Sequence, residues 1–470
     1  MLIRDAEVAG RRVDLRIEAG RIAAIGSDLA THRSEPTIEA RGGTLIHGLH
    51  DHHIHLLSLA AALGSIACGP PAVDSREALA KAIATAKPGR SGWLRGAGYF
   101  ESVAGDLERH ALDVLCPTRP LRIQHRSGSM WLLNSRAIER LGLDRDDAPG
   151  GIERDARGRS TGRLFRMDDW LRARLPSVSA PDLSQAGSLL ARHGVTGVTD
   201  ATPSNGLPEV ALFRAAQRSG ALPQRLRLMG GPSLGAAHAD DQLSIDAHKI
   251  LLDEPTLPEI DTLVAVIQAA HASDRSVALH TVTRTEIHFA LAALEAAGAQ
   301  PGDRLEHASV APAESLEQVR QLGVTIVTQP HFVAERGDAY LAEVDPRDQP
   351  HLYRVKAWID AGVQIACGTD APFGSPDPWA AMRAAIDRRT HAGATLGAEE
   401  RVSPETALAL FEPRLKTHAP AIESLAMSPV LAVGLPADLC LLDAPWRSVR
   451  EDLSSDRVVA TFRAGERIGP

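Results

Sequence analysis

The densest set of groups able to do chemistry is the run Gly48-Leu49-His50-Asp51-His52-His53-Ile54-His55, which follows the apolar residues Thr44-Leu45-Ile46 and so stands where a buried strand would end. Side chains two apart on a strand share a face, so His53 and His55 aim at one point while Ile54 packs behind them. Two converging imidazoles are a metal-ligand arrangement, although an isolated H-x-H is also a common surface accident. What separates the two readings is whether other ligand-type residues stand at strand ends, and they do. His280 closes Ser276-Val277-Ala278-Leu279, His307 closes Arg304-Leu305-Glu306, and Asp370 follows Val363-Gln364-Ile365-Ala366-Cys367-Gly368-Thr369. Each alone reads as a hydrogen-bonded loop residue; together they read as one metal centre.

The elements that must position these residues form a regular alternation. From about residue 181, apolar runs at Val195 to Thr199, Leu226 to Met229, Lys249 to Leu252, Ser276 to Leu279, Arg304 to Leu305, Val324 to Val327 and Val363 to Ala366 are separated by helical patterns. With the strand before His53 they make eight βα units, which close most simply into a (β/α)8 TIM barrel with its active site at the C-terminal strand ends. An open doubly wound sheet is the alternative, but no G-x-G-x-x-G follows the first strand. Residues 1–45 read as short strands around glycine turns, as do Ala437 to Leu442 and Arg457 to Arg463, with no helix between these last two. Both chain ends (1–45 plus 425–470) are therefore expected to pair into one composite β-sandwich, since either piece alone would be marginal. The barrel then spans 46–424. It includes an insertion at 56–180, expected to act as a lid, with strands at Trp93 to Gly96 and Leu121 to Gln124, a helix from Trp131 to Leu141 and a polar hairpin at Glu153 to Gly162.

Composition narrows the partners. The chain of 470 residues is 44% hydrophobic and 23% charged, ordinary for a globular protein, and its net charge of -8 gives no reason to expect nucleic acid or an anionic membrane. Met1 to Val8 lacks the build of a signal peptide and no apolar run approaches membrane-spanning length, so a cytoplasmic protein acting on a small-molecule substrate is expected, its oligomeric state open. Cys68, Cys116, Cys367 and Cys440 are scattered without C-x-x-C spacing, against a disulfide framework or a zinc finger.

The pattern G-L-x-D-x-H-x-H resembles the first metal-binding strand of the amidohydrolase superfamily, with His47 where that family commonly has proline. The order H-x-H, His, His, Asp resembles its ligand set across essentially the whole chain, and Val433-Gly434-Leu435-Pro436-Ala437-Asp438-Leu439 looks like its re-entry into the terminal sandwich. Within it, Arg304-Leu305-Glu306-His307-Ala308, Gln329-Pro330-His331 and Gly368-Thr369-Asp370-Ala371-Pro372 are similar to the amidohydrolase 3 branch that includes N-substituted formamide deformylase. The resemblance implies one or two divalent cations, zinc-type, held by His53, His55, Lys249, His280, His307 and Asp370. Such ions suit imidazole and carboxylate and can lower the pKa of water to about 7. Asp370 would take the proton from that water and pass it to the leaving amine. Lys249, in Ala247-His248-Lys249-Ile250, corresponds to the lysine that is carboxylated in binuclear members; a plain salt bridge is its alternative, and His248 is expected to face the helices.

Departures from the branch pattern bear on the substrate. Gly128-Ser129 replaces Gly-His, Arg166 stands where a glutamate is usual, Thr283-Arg284 replaces Gly-Asp, and Glu254 replaces a glycine. Arg126, Arg166 and Arg284, with His331, are the expected substrate-binding residues, the arginines suiting a carboxylate unless they merely cover surface. The implied reaction is hydrolysis of an amide, formamide or cyclic amide. Aminoheterocycle deamination ranks lower because Thr283 occupies the position of its usual glutamate; lactone hydrolysis and a non-catalytic scaffold complete the alternatives.

Overall fold

A computed structural model describes residues 1–88, 92–145, 149–175, 180–413 and 431–470. The boundary expected at 424/425 lies outside the described residues. The chain divides into two compact units, one formed by 1–56 with 183–470 and the other by 57–182.

The first unit is built on an eight-stranded parallel sheet. In barrel order its strands are Leu49–Ile54, Val195–Asp200, Arg225–Gly230, Leu243–Ile250, Val277–Thr281, Arg304–His307, Thr325–Thr328 and Ile365–Cys367. The last strand returns to the first: Asp370 N–H donates to the His53 carbonyl at 2.7 Å and His55 N–H to the Ala371 carbonyl at 2.9 Å. Glycine is required at this seam, because a Cβ on Gly368 would lie 2.4 Å from the His53 nitrogen. Helices including Ile260–Ala272, Arg284–Ala297 and Ala313–Leu322 cover the outside, and Leu263, Ile267, Ile287, Leu291 and Val319 bury against Leu279, Leu305 and Ile326. This is the (β/α)8 barrel expected. The insertion follows its first strand.

Both chain ends contribute to two further four-stranded sheets. One has the order Arg21–Gly26, Arg11–Glu18, Leu2–Val8, Thr37–Glu39; the other Glu466–Arg467, Val458–Arg463, Leu439–Leu442, Leu45–His47. Ile3, Leu15 and Ile22 from the first share a core with Leu45, Leu439, Leu441 and Phe462 from the second, which makes the pair a sandwich.

Four local readings need correction. Thr44-Leu45-Ile46 does not lead the histidines as one strand: Leu45–His47 pairs with Leu439–Leu442, and a new strand begins at Leu49. Gly48 makes the break because a Cβ there would meet Thr196 at 2.2 Å. The fourth barrel strand starts at Leu243, which puts Lys249 near its C-terminal end. Residues 131–141 split into a strand, Met130–Leu133, and a helix, Ser135–Leu141, because Asn134 caps the helix by accepting from Ala137 N–H. Between the last long strands stands a short helix, Trp446–Val449.

The second unit has a six-stranded mixed sheet, ordered Ile152–Arg154, Ser160–Phe165, Met130–Leu133, Leu121–His125, Leu94–Tyr99, Ile66–Ala67. Leu79, Ile83, Leu94 and Ile123 form one of its cores, and Trp131, Leu133, Ile138 and Leu164 another. No helix among the described residues is long and apolar enough to cross a membrane.

Candidate metal centre

Four imidazoles form a continuous cluster at the C-terminal end of the barrel. Ring centroids are 5.3 Å apart for His53 and His55, 4.7 Å for His53 and His307, and 4.5 Å for His280 and His307. Asp370 joins them with Oδ1 3.2 Å from His55 Nε2 and 3.6 Å from His53 Nε2. Ligand atoms of His53, His55 and Asp370 lie within 4.8 Å of one another, close enough to share one ion. Lys249 is buried and acts electrostatically on His53, His280, His307 and Glu306. The structure thus brings together all six residues that the sequence singled out as ligands.

Backbone geometry explains how neighbours on one strand reach the same place. Glu306 and His307 should face opposite sides, yet both touch His53, and His307 has φ of 70°. That left-handed turn swings its ring back toward the cluster; Asp370, at φ of 52°, also lies in this sparsely populated region.

The protonation pattern suits a cation. Glu306, fully buried, accepts from His53 Nδ1–H and from Arg304 Nε. Thr202 Oγ1 lies 2.8 Å from His55 Nδ1, and Gln329 Oε1 lies 2.8 Å from His307 Nδ1. A proton on Nδ1 serves all three contacts and leaves each Nε2 lone pair for a metal. Burial pushes His53 down to about 3 despite Glu306, and lowers His280 and His307 as well, so the rings are neutral, as ligation requires. Burial alone would raise Asp370; a donated proton or positive charge at His55, His307 and His53 would outweigh it and hold the carboxylate below its usual range, a part that a cation on the Nε2 lone pairs would take over. Burial also pushes Lys249 down to about 8, against Glu306. His53 Nε2 and Lys249 Nζ are buried without any hydrogen-bond partner among the described residues. Orphaned ligand atoms beside a carboxylate are what a cation would satisfy, so these residues fit one.

The expected substrate-binding residues are divided between the two units. His331 Nε2 is 2.9 Å from the carbonyl of Thr369, the neighbour of Asp370, and its Nδ1 is buried without a partner among the described residues. Arg284 is engaged elsewhere, with Nε 3.1 Å from Asp348 and Nη1 3.0 Å from Glu314, because the first turn of its helix faces those acids. Arg126 and Arg166 belong to the second unit, where Arg126 stacks 3.2 Å over the Phe100 ring and Arg166 is exposed with φ of 56°.

The sequence reading assigned no role to Glu306, Arg304, Thr202, Gln329 or Asp51. Asp51, pushed up to about 7 by burial, accepts from the Thr369 and His53 amides and pins the barrel seam beneath the ligands. Glu306 had one visible signal: Arg304-Leu305-Glu306-His307 places two opposite charges two residues apart in a strand too short and apolar-flanked to expose them.

The chain and its fold are similar to known proteins. The chain matches the model of the amidohydrolase family over residues 36–468. N-substituted formamide deformylase of Arthrobacter pascens is 26% identical over 457 residues, covering 84% of each chain. Two solved structures of uncharacterized metal-dependent hydrolases share the fold. The one from Pyrococcus horikoshii OT3 has a TM-score of 0.74 at 19% identity, covering 96% of this chain and 99% of that one. The one from Pyrococcus furiosus has 0.69 at 22%, covering 94% and 98%. With the family model matched over nearly its whole length, and the barrel and histidine cluster in place, the chain belongs to the amidohydrolase family and is a hydrolase.

Proposed function

We propose that the protein hydrolyses a non-peptide carbon–nitrogen bond, of an amide, formamide or cyclic amide, with the help of one or two divalent cations, zinc being the best match to the donors. The observation that carries this reading is the group of imidazoles whose Nδ1 atoms are engaged by Glu306, Thr202 and Gln329, with the Nε2 atoms of His53 and His55 facing Asp370. His53, His55 and Asp370 would hold one cation. His280 and His307 would serve a second, with Lys249, once carboxylated by carbon dioxide, as a further ligand; its buried Nζ, without a hydrogen-bond partner among the described residues, supports that assignment. A divalent cation held there would polarise the scissile carbonyl and lower the pKa of water to about 7.

The protein's own part is orientation and proton transfer. Asp370 stays ionised despite its burial, so its Oδ atoms can accept a proton from the attacking water and return it to the departing nitrogen. Glu306, Thr202 and Gln329 keep the proton of each ring on Nδ1. The relation to N-substituted formamide deformylase supports an amide-type substrate over an aminoheterocycle. So does Thr283, which caps the helix Arg284–Ala297 by accepting from Glu286 N–H and offers no carboxylate at that position.

A metal-reconstituted activity screen across amides, formamides, cyclic imides, lactones and aminoheterocycles tests the reading. Turnover confined to compounds with a C–N acyl bond is expected; deamination or lactone hydrolysis alone would replace it.

A further inference from the structure

Charged groups at the barrel mouth are nearly all accounted for by other charges. Arg304 is committed to Glu306, Arg354 to Glu400 and Arg284 to Asp348 and Glu314, while Arg388 donates to the carbonyls of Leu396, Tyr353 and Leu352. Arg336 differs. It lies on the helix His331–Glu343 that leaves the seventh barrel strand, is partly buried, and forms no ion pair among the described residues. Its neighbour Glu335 is turned to the Ser375 amide at 3.0 Å.

The guanidinium stands beside the ligand cluster. Its carbon sits 4.0 Å from the centroid of Phe332, and Nη2 donates to the Phe373 carbonyl. Phe373 in turn packs edge-on against His55, with centroids 5.4 Å apart, and its amide donates to the Asp370 carbonyl at 2.8 Å. Burial works against the charge of Arg336, and Tyr340, Tyr353, Asp370 and Glu335 together outweigh it. The hydroxyls of those tyrosines lie 3.2 Å apart, and Phe332 contacts Tyr353 at 5.5 Å, so the guanidinium is backed by an aromatic wall. Only one of its five N–H donors is used by the protein; those on Nε and Nη1 make no hydrogen bond among the described residues.

A partly buried guanidinium that makes no ion pair among the described residues gains when a bound ligand brings the opposite charge. An arginine fork with two adjacent donors free matches the geometry of a carboxylate. We propose that Arg336 receives a carboxylate carried by the substrate, away from the scissile bond, and so determines specificity for acidic amides. This rests on the proposed hydrolysis and assigns the substrate class of the same site.

The test uses the full-length, metal-loaded protein with N-formylglycine and N-formyl-β-alanine, each paired with its neutral N-methylamide, followed by calorimetric binding and by turnover. The parent is expected to bind at least one acid about 10- to 100-fold more tightly than its amide, the scale of a charge-assisted contact. Arg336→Gln, which retains a donor toward the Phe373 carbonyl, should abolish that preference through KM while leaving binding of the amide within about twofold. Arg336→Met serves as a second variant, and thermal melting confirms that each is folded. Equal binding of acid and amide by the parent, no binding of either acid, or equal losses on both compounds in a folded variant would overturn the proposal. Absence of turnover with all of them, alongside a retained binding preference, would count against the hydrolytic reading and leave the role of Arg336 standing.

Discussion

Replacing Glu306 by glutamine changes one oxygen to an amide nitrogen and should nevertheless cost most of the metal affinity. Glu306 accepts on two sides, from His53 Nδ1–H and from Arg304 Nε, and both donors are buried with it. A glutamine has one acceptor oxygen and one NH2 group, so one of the two donors must face another donor. Either way the buried guanidinium loses its anion, and if the oxygen serves His53, Arg304 Nε also faces an NH2 donor and is left without its hydrogen bond. The cheaper arrangement turns the oxygen to Arg304 and the NH2 to His53, which drives the imidazole proton from Nδ1 to Nε2, the atom needed for the metal. The loss is therefore expected toward the upper end of the about 10- to 100-fold usual for an orienting partner, or about 2–3 kcal/mol of binding. Chelator competition with zinc measures it, and the visible spectrum of the cobalt(II)-substituted protein reports the altered ligand field. Adding Arg304→Met to Glu306→Gln removes the competitor for the oxygen and should recover part of the affinity, which a purely structural defect would not. Zinc affinity within about twofold of the parent in Glu306→Gln would refute the claim that Glu306 sets the His53 tautomer.

The other expectations are simpler. His53→Ala with His55→Ala should strip most of the metal from the purified protein, and elemental analysis showing an unchanged content would remove the site assignment. Asp370→Asn keeps a ligand oxygen but no proton acceptor, so metal should be largely retained while turnover falls by about 10²–10⁴; near-normal turnover would mean that another group is the base. Gly368→Ala places a Cβ 2.4 Å from the His53 nitrogen, where only backbone movement can relieve it. It should destabilise by about 1–3 kcal/mol and weaken metal binding together, and an unchanged melting temperature would show that the barrel seam gives way more easily than its packing suggests.

How much of this was legible in the sequence follows from what each feature depends on. Strand count and ligand identity depend on local pattern: His280, His307 and Asp370 follow apolar runs, and those runs are strands. The errors arose where two elements share one apolar stretch. Leu45–His47 and Leu49–Ile54 read as a single strand because nothing in Gly48 alone announces that Thr196 will press against it. Lys249 looked like a strand beginning because Ser244, Asp246 and His248 interrupt the apolar run, although they belong to the same strand. Asn134 was an available cap signal, and the helix drawn through it was avoidable.

Orientation was hidden for a deeper reason. The groups that fix the three rings come from the sixth strand, from the segment after the second, and from the segment after the seventh, so their pairing exists only once the barrel closes. Alternation would have turned Glu306 away from the cluster, and only the reversed φ of His307 lets both neighbours serve it. The arginines show the same limit. Proximity to a motif in sequence favoured Arg284, which sits four residues after His280, yet two acids claim it; Arg336 lies five residues along a helix, where one turn and more returns a side chain toward the strand end it left. Ligand type is thus written locally, whereas tautomer, proton placement and the charge offered to a substrate are set by contacts between strands far apart in the chain.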